Sequence, residues 1–202
     1  MTVADAVAAA ALAAPARLGP VRLVVVDGPA GSGKTTFAAA LAEASGAHVL
    51  HLDDLYEGWS GLEGSLWPRL AAQVLEPLRR GLPGRYQRYD WGLGAFAEWV
   101  DLPVPRLLVI EGCGSARRLV DPIASVRVWV EAPDDLRLTR GLERDGADAR
   151  ALWEQWMRDE QAHYARESTR DRADVRLDAL GRVVDRGAPV DPDALGVPGT
   201  AG

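Results

Sequence analysis

The stretch VRLVVVDGPAGSGKTT, residues 21–36, decides how this chain folds. Its first half is a run of aliphatic, mostly β-branched residues with the length of a buried strand. The run ends in a glycine-rich loop, which leads into TTFAAALAEA, a segment whose composition favours a helix. The spacing G-x-x-x-x-G-K-T, from Gly28 to Thr35, lies between this strand and this helix, and it predicts a phosphate-binding loop.

The chemistry of the loop predicts that it binds a nucleoside triphosphate. Its glycines let backbone N–H groups turn inward around an anion, and the helix start adds its positive dipole end. Lys34 is expected to reach the β- and γ-phosphates, and the Thr35 hydroxyl to hold Mg²⁺. Of the 23 basic residues Lys34 is the only lysine, and a compact ammonium group suits a narrow phosphate loop. The predicted nucleotide-binding residues are Gly28, Pro29, Ala30, Gly31, Ser32, Gly33, Lys34, Thr35 and Thr36.

Length and composition limit the classes of protein to consider. A chain of 202 residues is long enough for one α/β domain with a sizeable core. The net charge of −6 disfavours nucleic acid and anionic membranes as partners, and no apolar run is long enough to span a bilayer. The single cysteine, Cys113, and the scattered histidines offer no zinc spacing and suit a reducing cytoplasm. The alanine-rich start lacks the basic region of a signal peptide. The oligomeric state is left open.

The order of the predicted elements indicates a parallel sheet. Hydrophobic runs alternate with helical segments, which predicts an α/β fold with a five-stranded parallel sheet and helices on both faces. These strands are expected at residues 21–26, 48–52, 107–110, 126–130 and 173–177. The chain is predicted to form a single domain over residues 1–184, with an N-terminal helix within 1–19, a mostly helical acceptor-binding insertion at 57–105, a lid region at 134–170 and a flexible tail at 185–202.

Two acidic residues follow predicted strands directly. Asp53 comes after the second strand and Glu111 ends the third, at the edge where open α/β sheets bind their ligands. Asp53 is therefore predicted to act as a general base or to belong to the magnesium shell, and a solvated turn residue is the alternative. Glu111 is placed to order a magnesium-bound water. The predicted metal-site residues are Thr35, Asp53 and Glu111.

The insertion is rich in aromatic residues, which are predicted to divide between core and substrate pocket. Trp67 and Trp99 are the candidates for the core. A turn-like stretch around Trp91, closed by glycines, suits an exposed binding loop. Flat ring faces beside a carboxylate suit a planar or polyol substrate, although structural packing remains an alternative for each ring. The predicted substrate contacts are Asp53, Tyr56, Tyr89, Asp90 and Trp91.

Three arginines lie on one face of a helix that is predicted to begin near Pro133. Arg137, Arg140 and Arg144 are spaced at i, i+3 and i+7. An exposed arginine face is one interpretation, and a mobile clamp over a triphosphate is the other. The predicted catalytic residues are Lys34, Asp53, Arg140 and Arg144.

Taken together, these segments resemble the uridine kinase-like branch of the phosphate-loop kinases. GPAGSGKTT, residues 28–36, is similar to the nucleotide loop of that family. DDLY at 53–56 resembles the family's Asp-Ser-Phe-Tyr segment, whose first Asp deprotonates the acceptor hydroxyl. LVIEG at 108–112 resembles the family's strand ending in Glu-Gly. RLTR at 137–140 is similar to the arginine-bearing lid helix, and ADV at 173–175 to the closing strand.

The resemblance covers roughly residues 20–178 and implies a strand order of 2-3-1-4-5. It also implies ATP and Mg²⁺ as cofactors, with transfer of the γ-phosphoryl group to a hydroxyl of a small acceptor. One segment departs from the family: nucleoside-specific members carry Tyr-Asp-His-Pro where this chain has Tyr89-Asp90-Trp91-Gly92. The histidine that helps to recognise the pyrimidine ring is therefore absent, and uridine does not follow as the substrate.

The sequence gives unequal support to three alternatives to a small-molecule kinase. A guanine-specific GTPase is disfavoured, because the chain has no asparagine and one lysine and so cannot form Asn-Lys-x-Asp. A P-loop ATPase or nucleotide-binding module that acts on a macromolecular partner is the main alternative. A non-catalytic nucleotide binder is disfavoured because Lys34, Thr35, Asp53 and Glu111 are all present.

Overall fold

The computed structural model describes residues 1–185 and shows an α/β fold. The strands are β1 (Arg22–Asp27), β2 (His48–His51), β3 (Gly84–Asp90), β4 (Ala95–Leu102), β5 (Leu107–Glu111), β6 (Val126–Val130), β7 (Val175–Leu177) and β8 (Val183–Asp185). The helices are α1 (Val3–Ala13), α2 (Lys34–Ser45), α3 (Leu66–Leu70), α4 (Glu76–Arg79), α5 (Asp134–Asp145), α6 (Arg150–Glu167) and α7 (Thr169–Arg172). A π-helical segment, Ala71–Leu75, joins α3 to α4. None of the described helices combines the length and the apolar composition that a membrane span requires.

The main sheet has six strands in the order β2-β5-β1-β6-β7-β8. Strands β2, β5, β1, β6 and β7 run parallel to their neighbours, and β8 is antiparallel to β7. The prediction of five strands was therefore wrong by one. The strand that it missed, β8, borders a segment rich in Gly, Pro and Asp, whose composition predicted a tail instead. The predicted tail at 185–202 lies outside the described residues, apart from residue 185 at the end of β8.

β1 lies at the centre of this sheet and is buried on both of its faces. Because alternate side chains of a strand point to opposite faces, Leu23 and Val25 join one core, and Val24 and Val26 join another. The first core contains the apolar residues of α3 and α4, and the second contains those of α1 and α2. Helices thus cover both faces, as the pattern predicted.

The N-terminal helix begins and ends where its sequence indicates. The Thr2 hydroxyl accepts a hydrogen bond from the Asp5 backbone N–H at 3.1 Å, and the Asp5 carboxylate accepts one from the Thr2 backbone N–H at 2.7 Å. This reciprocal capping box satisfies two N–H groups that the first turn leaves unpaired. α1 ends at Ala13, before Pro15, and packs against α2.

The insertion at 57–105 was predicted to be mostly helical, and that prediction was wrong. Its second half forms a separate two-stranded antiparallel sheet, the β3–β4 hairpin, with a turn around Gly92 and Gly94. Two aromatic-rich runs separated by glycines are a hairpin signal, which the helical interpretation overlooked. Trp67 is buried, as predicted. Trp99 is not in the core: its 48 % exposed side chain lies on β4 near the Arg85 guanidinium.

Candidate active site

The phosphate-binding loop lies between β1 and α2. Its glycines adopt backbone conformations that would be strained in a residue with a Cβ atom. Gly28 has φ +143° and packs against the backbone of Val130, where a Cβ atom would collide with the carbonyl. Gly33 adopts φ +108° as the N-cap of α2. Both conformations lie in the region that favours glycine, so these two positions fix the curve of the loop.

Lys34, the first residue of α2, is buried beneath this loop. Its Nζ donates to the Pro29 carbonyl at 2.9 Å and lies 3.6 Å from the Cys113 Sγ atom. Burial acts to lower the pKa of Lys34, but the acidic groups of Cys113, Glu111 and Glu160 outweigh it, and the net shift is upward. The ammonium group therefore stays charged and available for a phosphate.

The two candidate carboxylates lie at the ends of neighbouring strands. Asp53 belongs to the 3-10 turn Leu52–Asp54 that follows β2, and Glu111 is the last residue of β5. The Glu111 Oε1 atom accepts a hydrogen bond from the Thr35 hydroxyl at 3.1 Å and lies 2.6 Å from the His51 Nδ1 atom. Thr35, Glu111 and His51 thus form a connected polar group beside the loop.

The electrostatics of this group follow from its crowding. The Asp53 side chain can be reached by water but is surrounded on most sides by protein. This partial burial, together with the negative charge of Glu111, raises the pKa of Asp53, while Lys34 and Arg144 oppose the shift. The hydrogen bond to Glu111 raises the pKa of His51.

A cavity of about 1060 Å³ brings most of the predicted site residues together. Loop residues, both carboxylates, the start of α1 and the turn at 178–181 all contribute to its walls. Its predicted members are Ala30, Gly31, Gly33, Lys34, Thr35, Thr36, Asp53, Tyr56, Trp91, Glu111, Arg140 and Arg144. Gly28, Pro29 and Ser32 form the part of the loop that does not line it.

Aromatic rings form a continuous wall of this cavity. The Trp59 ring makes edge contacts with Trp91, Trp153 and Trp156, with centroids 5.9, 6.1 and 6.2 Å away. Tyr56 packs against Trp156 at 5.2 Å. The Trp91 indole N–H donates to the Asp53 carbonyl at 2.9 Å, which ties the hairpin turn to the turn that carries the carboxylate. We call Tyr56, Trp59, Trp91, Trp153 and Trp156 the aromatic wall.

Sequence reasoning did not assign Trp59, Trp153 and Trp156 to the substrate site. Two of them stand at i and i+3 on α6, which places them on the same face of that helix. That spacing was visible in the sequence, but nothing local indicates that this face turns toward Asp53.

Two predicted substrate contacts lie away from the cavity. Tyr89 is in β3 and is buried rather than exposed in a loop, and its ring packs against Trp91 and Phe96. The Asp90 Oδ1 atom accepts hydrogen bonds from the backbone N–H groups of Gly92 and Leu93, so it shapes the hairpin turn. Trp91 is the one member of this trio that reaches the cavity.

The three arginines of α5 separate into two roles. Arg140 donates to the Gly31 carbonyl at 3.0 Å, and Arg144 makes two hydrogen bonds to Asp145; both line the cavity. Arg137 is buried, with its guanidinium on Glu160 and on the Ala30 carbonyl. An exposed face of three equivalent arginines was therefore the wrong interpretation for Arg137.

The oxygen atoms beside the loop suit magnesium better than a metal held by protein ligands alone. Within residues 1–185, no group of three or more His, Cys, Asp or Glu side chains could hold a metal ion. Mg²⁺ binds in proteins through one or two carboxylates together with water and phosphate oxygens. The hydroxyl of Thr35 and the carboxylates of Asp53 and Glu111 line one cavity and supply oxygens of that kind.

Comparisons with known proteins agree with this architecture. No protein-family model and no curated protein match the sequence. Among solved structures, the chain is similar to a possible uridine kinase from Bacillus stearothermophilus, with a TM-score of 0.64 and 20% identity over 87% of this chain and 97% of that one. It is also similar to a proposed fructose transport system kinase from a Silicibacter species, with a TM-score of 0.52 and 24% identity over 80% of this chain and 95% of that one.

The fold and the glycine-rich loop together define the class: this chain has the fold of the P-loop kinases, which are named after their phosphate-binding loop. Within that class the fold is of the uridine kinase type. At these identities the likeness concerns the fold, and the acceptor is a separate question.

Proposed function

We propose that this protein is an ATP-dependent kinase that transfers the γ-phosphoryl group to a hydroxyl group of a small molecule. One observation carries the proposal: Lys34 and Asp53 line the same cavity. An ammonium group that binds the end of a triphosphate and a carboxylate that can accept a proton then face one shared space. Two separate cavities would have excluded direct transfer between their ligands.

In the proposed reaction the acceptor hydroxyl attacks the γ-phosphorus. Asp53 accepts the hydroxyl proton, the new P–O bond forms, and the bond to the β-phosphate oxygen breaks to release ADP. Lys34 and the loop N–H groups hold the phosphates, and Arg140 and Arg144 face the transferring group from α5. Mg²⁺ would be held near Thr35, Asp53 and Glu111, where it supplies further positive charge to the phosphate oxygens.

The aromatic wall indicates what kind of acceptor fits. Trp59 and Trp91 are the members of the aromatic wall that are not fully buried, so an acceptor that pairs a flat or apolar ring with a hydroxyl group could lay its ring against them and direct the hydroxyl to Asp53. Nucleosides and other ring-bearing alcohols are therefore candidate acceptors.

The test is a screen for ADP release against nucleosides, sugars and other small alcohols, with product phosphorylation followed by mass spectrometry. Asp53→Asn should retain ATP binding while the turnover of the best acceptor falls by about 10²–10⁴-fold, the usual value of a general base. Asp54→Asn is the matched control, because Asp54 belongs to the same turn and does not line the cavity. Unchanged turnover in Asp53→Asn would refute the role of the carboxylate. ADP release without a phosphorylated acceptor would favour a P-loop ATPase with a macromolecular partner.

A further inference from the structure

One residue of the phosphate-binding loop is held on both sides by side chains of α5 and α6. The Ala30 N–H donates to the Glu160 Oε2 atom at 2.8 Å, and the Ala30 carbonyl accepts from the Arg137 Nη1 atom at 3.1 Å. Glu160 lies on α6 and Arg137 on α5, and the two side chains are paired with each other. A single peptide segment of the loop is therefore joined to both helices at once.

The contact with α5 continues at the next residue of the loop. The Gly31 carbonyl accepts a hydrogen bond from the Arg140 guanidinium at 3.0 Å. A Cβ atom at Gly31 would lie 2.9 Å from the Arg137 carbonyl oxygen, so the two backbones are in direct contact. The loop thus packs on the helix itself as well as on its side chains.

A buried ion pair is not by itself a sign of function, because it can simply join two helices. Glu160 is 1% exposed and Arg137 is 4% exposed, so both groups have lost most of their contact with water. Burying charges is costly unless the remaining polar atoms are satisfied, and here the Ala30 N–H satisfies the second oxygen of Glu160. The Ala30 carbonyl shares the Arg137 Nη1 atom with Glu160, and Asp134 accepts from Nη2. A carboxylate beside a loop for phosphates would also repel the ligand if Arg137 did not balance it. The bonds to Ala30 and the balance of charge beside the loop are both explained if the ion pair holds the loop in place.

We propose that Glu160 and Arg137 are positioning residues that hold the phosphate-binding loop in its nucleotide-accepting shape and fasten α5 and α6 to it. The consequence for nucleotides rests on the proposed function, whereas the effect on the loop does not. With the loop fixed before the nucleotide arrives, less conformational entropy is lost on binding. Arg140 and Arg144 are then presented by a helix that is already attached to the loop.

The chain provides a matched control for this proposal. Glu167, further along α6, is also buried. It accepts a hydrogen bond from the Arg118 backbone N–H at 2.9 Å and forms an ion pair with Arg117. It has the chemistry of Glu160 without any contact to the loop. Glu160→Gln replaces one acceptor by an NH₂ group, so either Ala30 or Arg137 meets a donor; Glu167→Gln makes the same change elsewhere on α6.

Hydrogen–deuterium exchange of the nucleotide-free protein gives the test. Glu160→Gln should speed the exchange of the loop peptide, residues 28–33, by about 10-fold or more, the effect expected for a lost charge-assisted hydrogen bond. Glu167→Gln should leave that peptide at the wild-type rate, even if it lowers the melting temperature as much. Equal loop exchange in both variants would overturn the proposal. If Glu160→Gln does not fold, Arg137→Lys replaces it. The Arg137 Nη1 atom contacts Glu160 and the Ala30 carbonyl while Nη2 is fixed by Asp134, and a lysine ammonium on a flexible stem lacks that second nitrogen and the planar fork that sets its direction.

Equilibrium binding of a fluorescent ATP analogue separates this proposal from the proposed function. We expect the Kd of Glu160→Gln to rise about 10-fold, with Glu167→Gln within about 2-fold of wild type. A loop that exchanges faster with an unchanged Kd would overturn the link between the pair and the nucleotide. If the wild-type protein bound no ATP, the proposed function would fail, and loop exchange would still decide whether the pair positions the loop.

Discussion

Gly141 of α5 lies directly against the ring of Trp153 on α6, and its replacement by alanine tests how tightly the two helices are held. In an unhindered helix, alanine is more stable than glycine by about 1 kcal/mol. Here a Cβ atom would meet three ring atoms of Trp153, the farthest of them at 2.6 Å. Carbon atoms pack at about 3.5–4.0 Å, so the helices would have to separate by about 1 Å.

The expected result is a loss of stability in spite of the better helix former. Overpacking of this size costs about 1–3 kcal/mol, and Trp153 cannot easily move aside, because it is 1% exposed and its indole N–H is bonded to Asp145. Contacts of 2.3–2.6 Å with a fixed ring belong to the upper part of that range, about 2–3 kcal/mol. After the gain of about 1 kcal/mol in helix propensity, Gly141→Ala should lower the free energy of unfolding by about 1–2 kcal/mol. That corresponds to a fall of about 2–8 °C in melting temperature for a domain of this size. The shift of α5 should also displace Arg140 and Arg144 and reduce kcat.

A double-mutant cycle measured by urea unfolding supplies the control. Trp153→Leu removes the ring and should itself cost about 2–4 kcal/mol. In that background Gly141→Ala should become neutral or stabilising, because the collision is gone and only the propensity gain remains. If Gly141→Ala alone raised the free energy of unfolding by the full gain in helix propensity, about 1 kcal/mol, the packing that we describe would be refuted.

Three further outcomes follow from the site and its surroundings. Burial raises the pKa of Cys113 to about 12, so at pH 8 about one thiol in 10⁴ is ionised. Iodoacetamide should therefore label Cys113 at least about 10³-fold more slowly in the folded protein than in urea. Fast labelling of the folded protein would contradict the burial of this thiol. Trp91→Phe should lower kcat/KM for the acceptor about 5–10-fold and leave the KM for ATP unchanged, because the hydrogen bond from the indole to the Asp53 carbonyl is lost. Leu93→Ala, at an exposed position of the same turn, is the control. Thr2→Ala should reduce the unfolding free energy by about 0.5–2 kcal/mol in a denaturant titration, and no change would show that the capping box contributes nothing.

The parts of the fold that could be predicted depend on neighbours in the sequence. The loop from Gly28 to Thr35 is specified by spacing and backbone freedom, and the strands beside it by continuous hydrophobic runs. The capping box at Thr2 likewise depends on residues three positions apart. Each of these features carries its signal within a short window.

The parts that were missed depend on partners far away in the chain. Glu160 reads as one more acidic residue on a polar helix, and only the fold brings it to Ala30 and Arg137. Tyr89 was expected in a loop because glycines follow it, but pairing with Phe96 makes it part of a strand and buries it. Trp153 gives no local sign that it packs behind the wall of the cavity. Tertiary contacts decided all of these positions.

Within residues 1–185 the hairpin of β3 and β4 makes no strand pairing with the main sheet, yet its turn carries Trp91 to the cavity. The loop that carries Lys34 and the turn that carries Trp91 therefore belong to separately built pieces of the same protein, whereas Asp53 follows a strand of the main sheet. Mutations in the turn can accumulate without disturbing the strands that support Lys34 and Glu111. Under the proposed function, substitutions in this turn would alter the contacts with the acceptor and leave those with the phosphate donor in place.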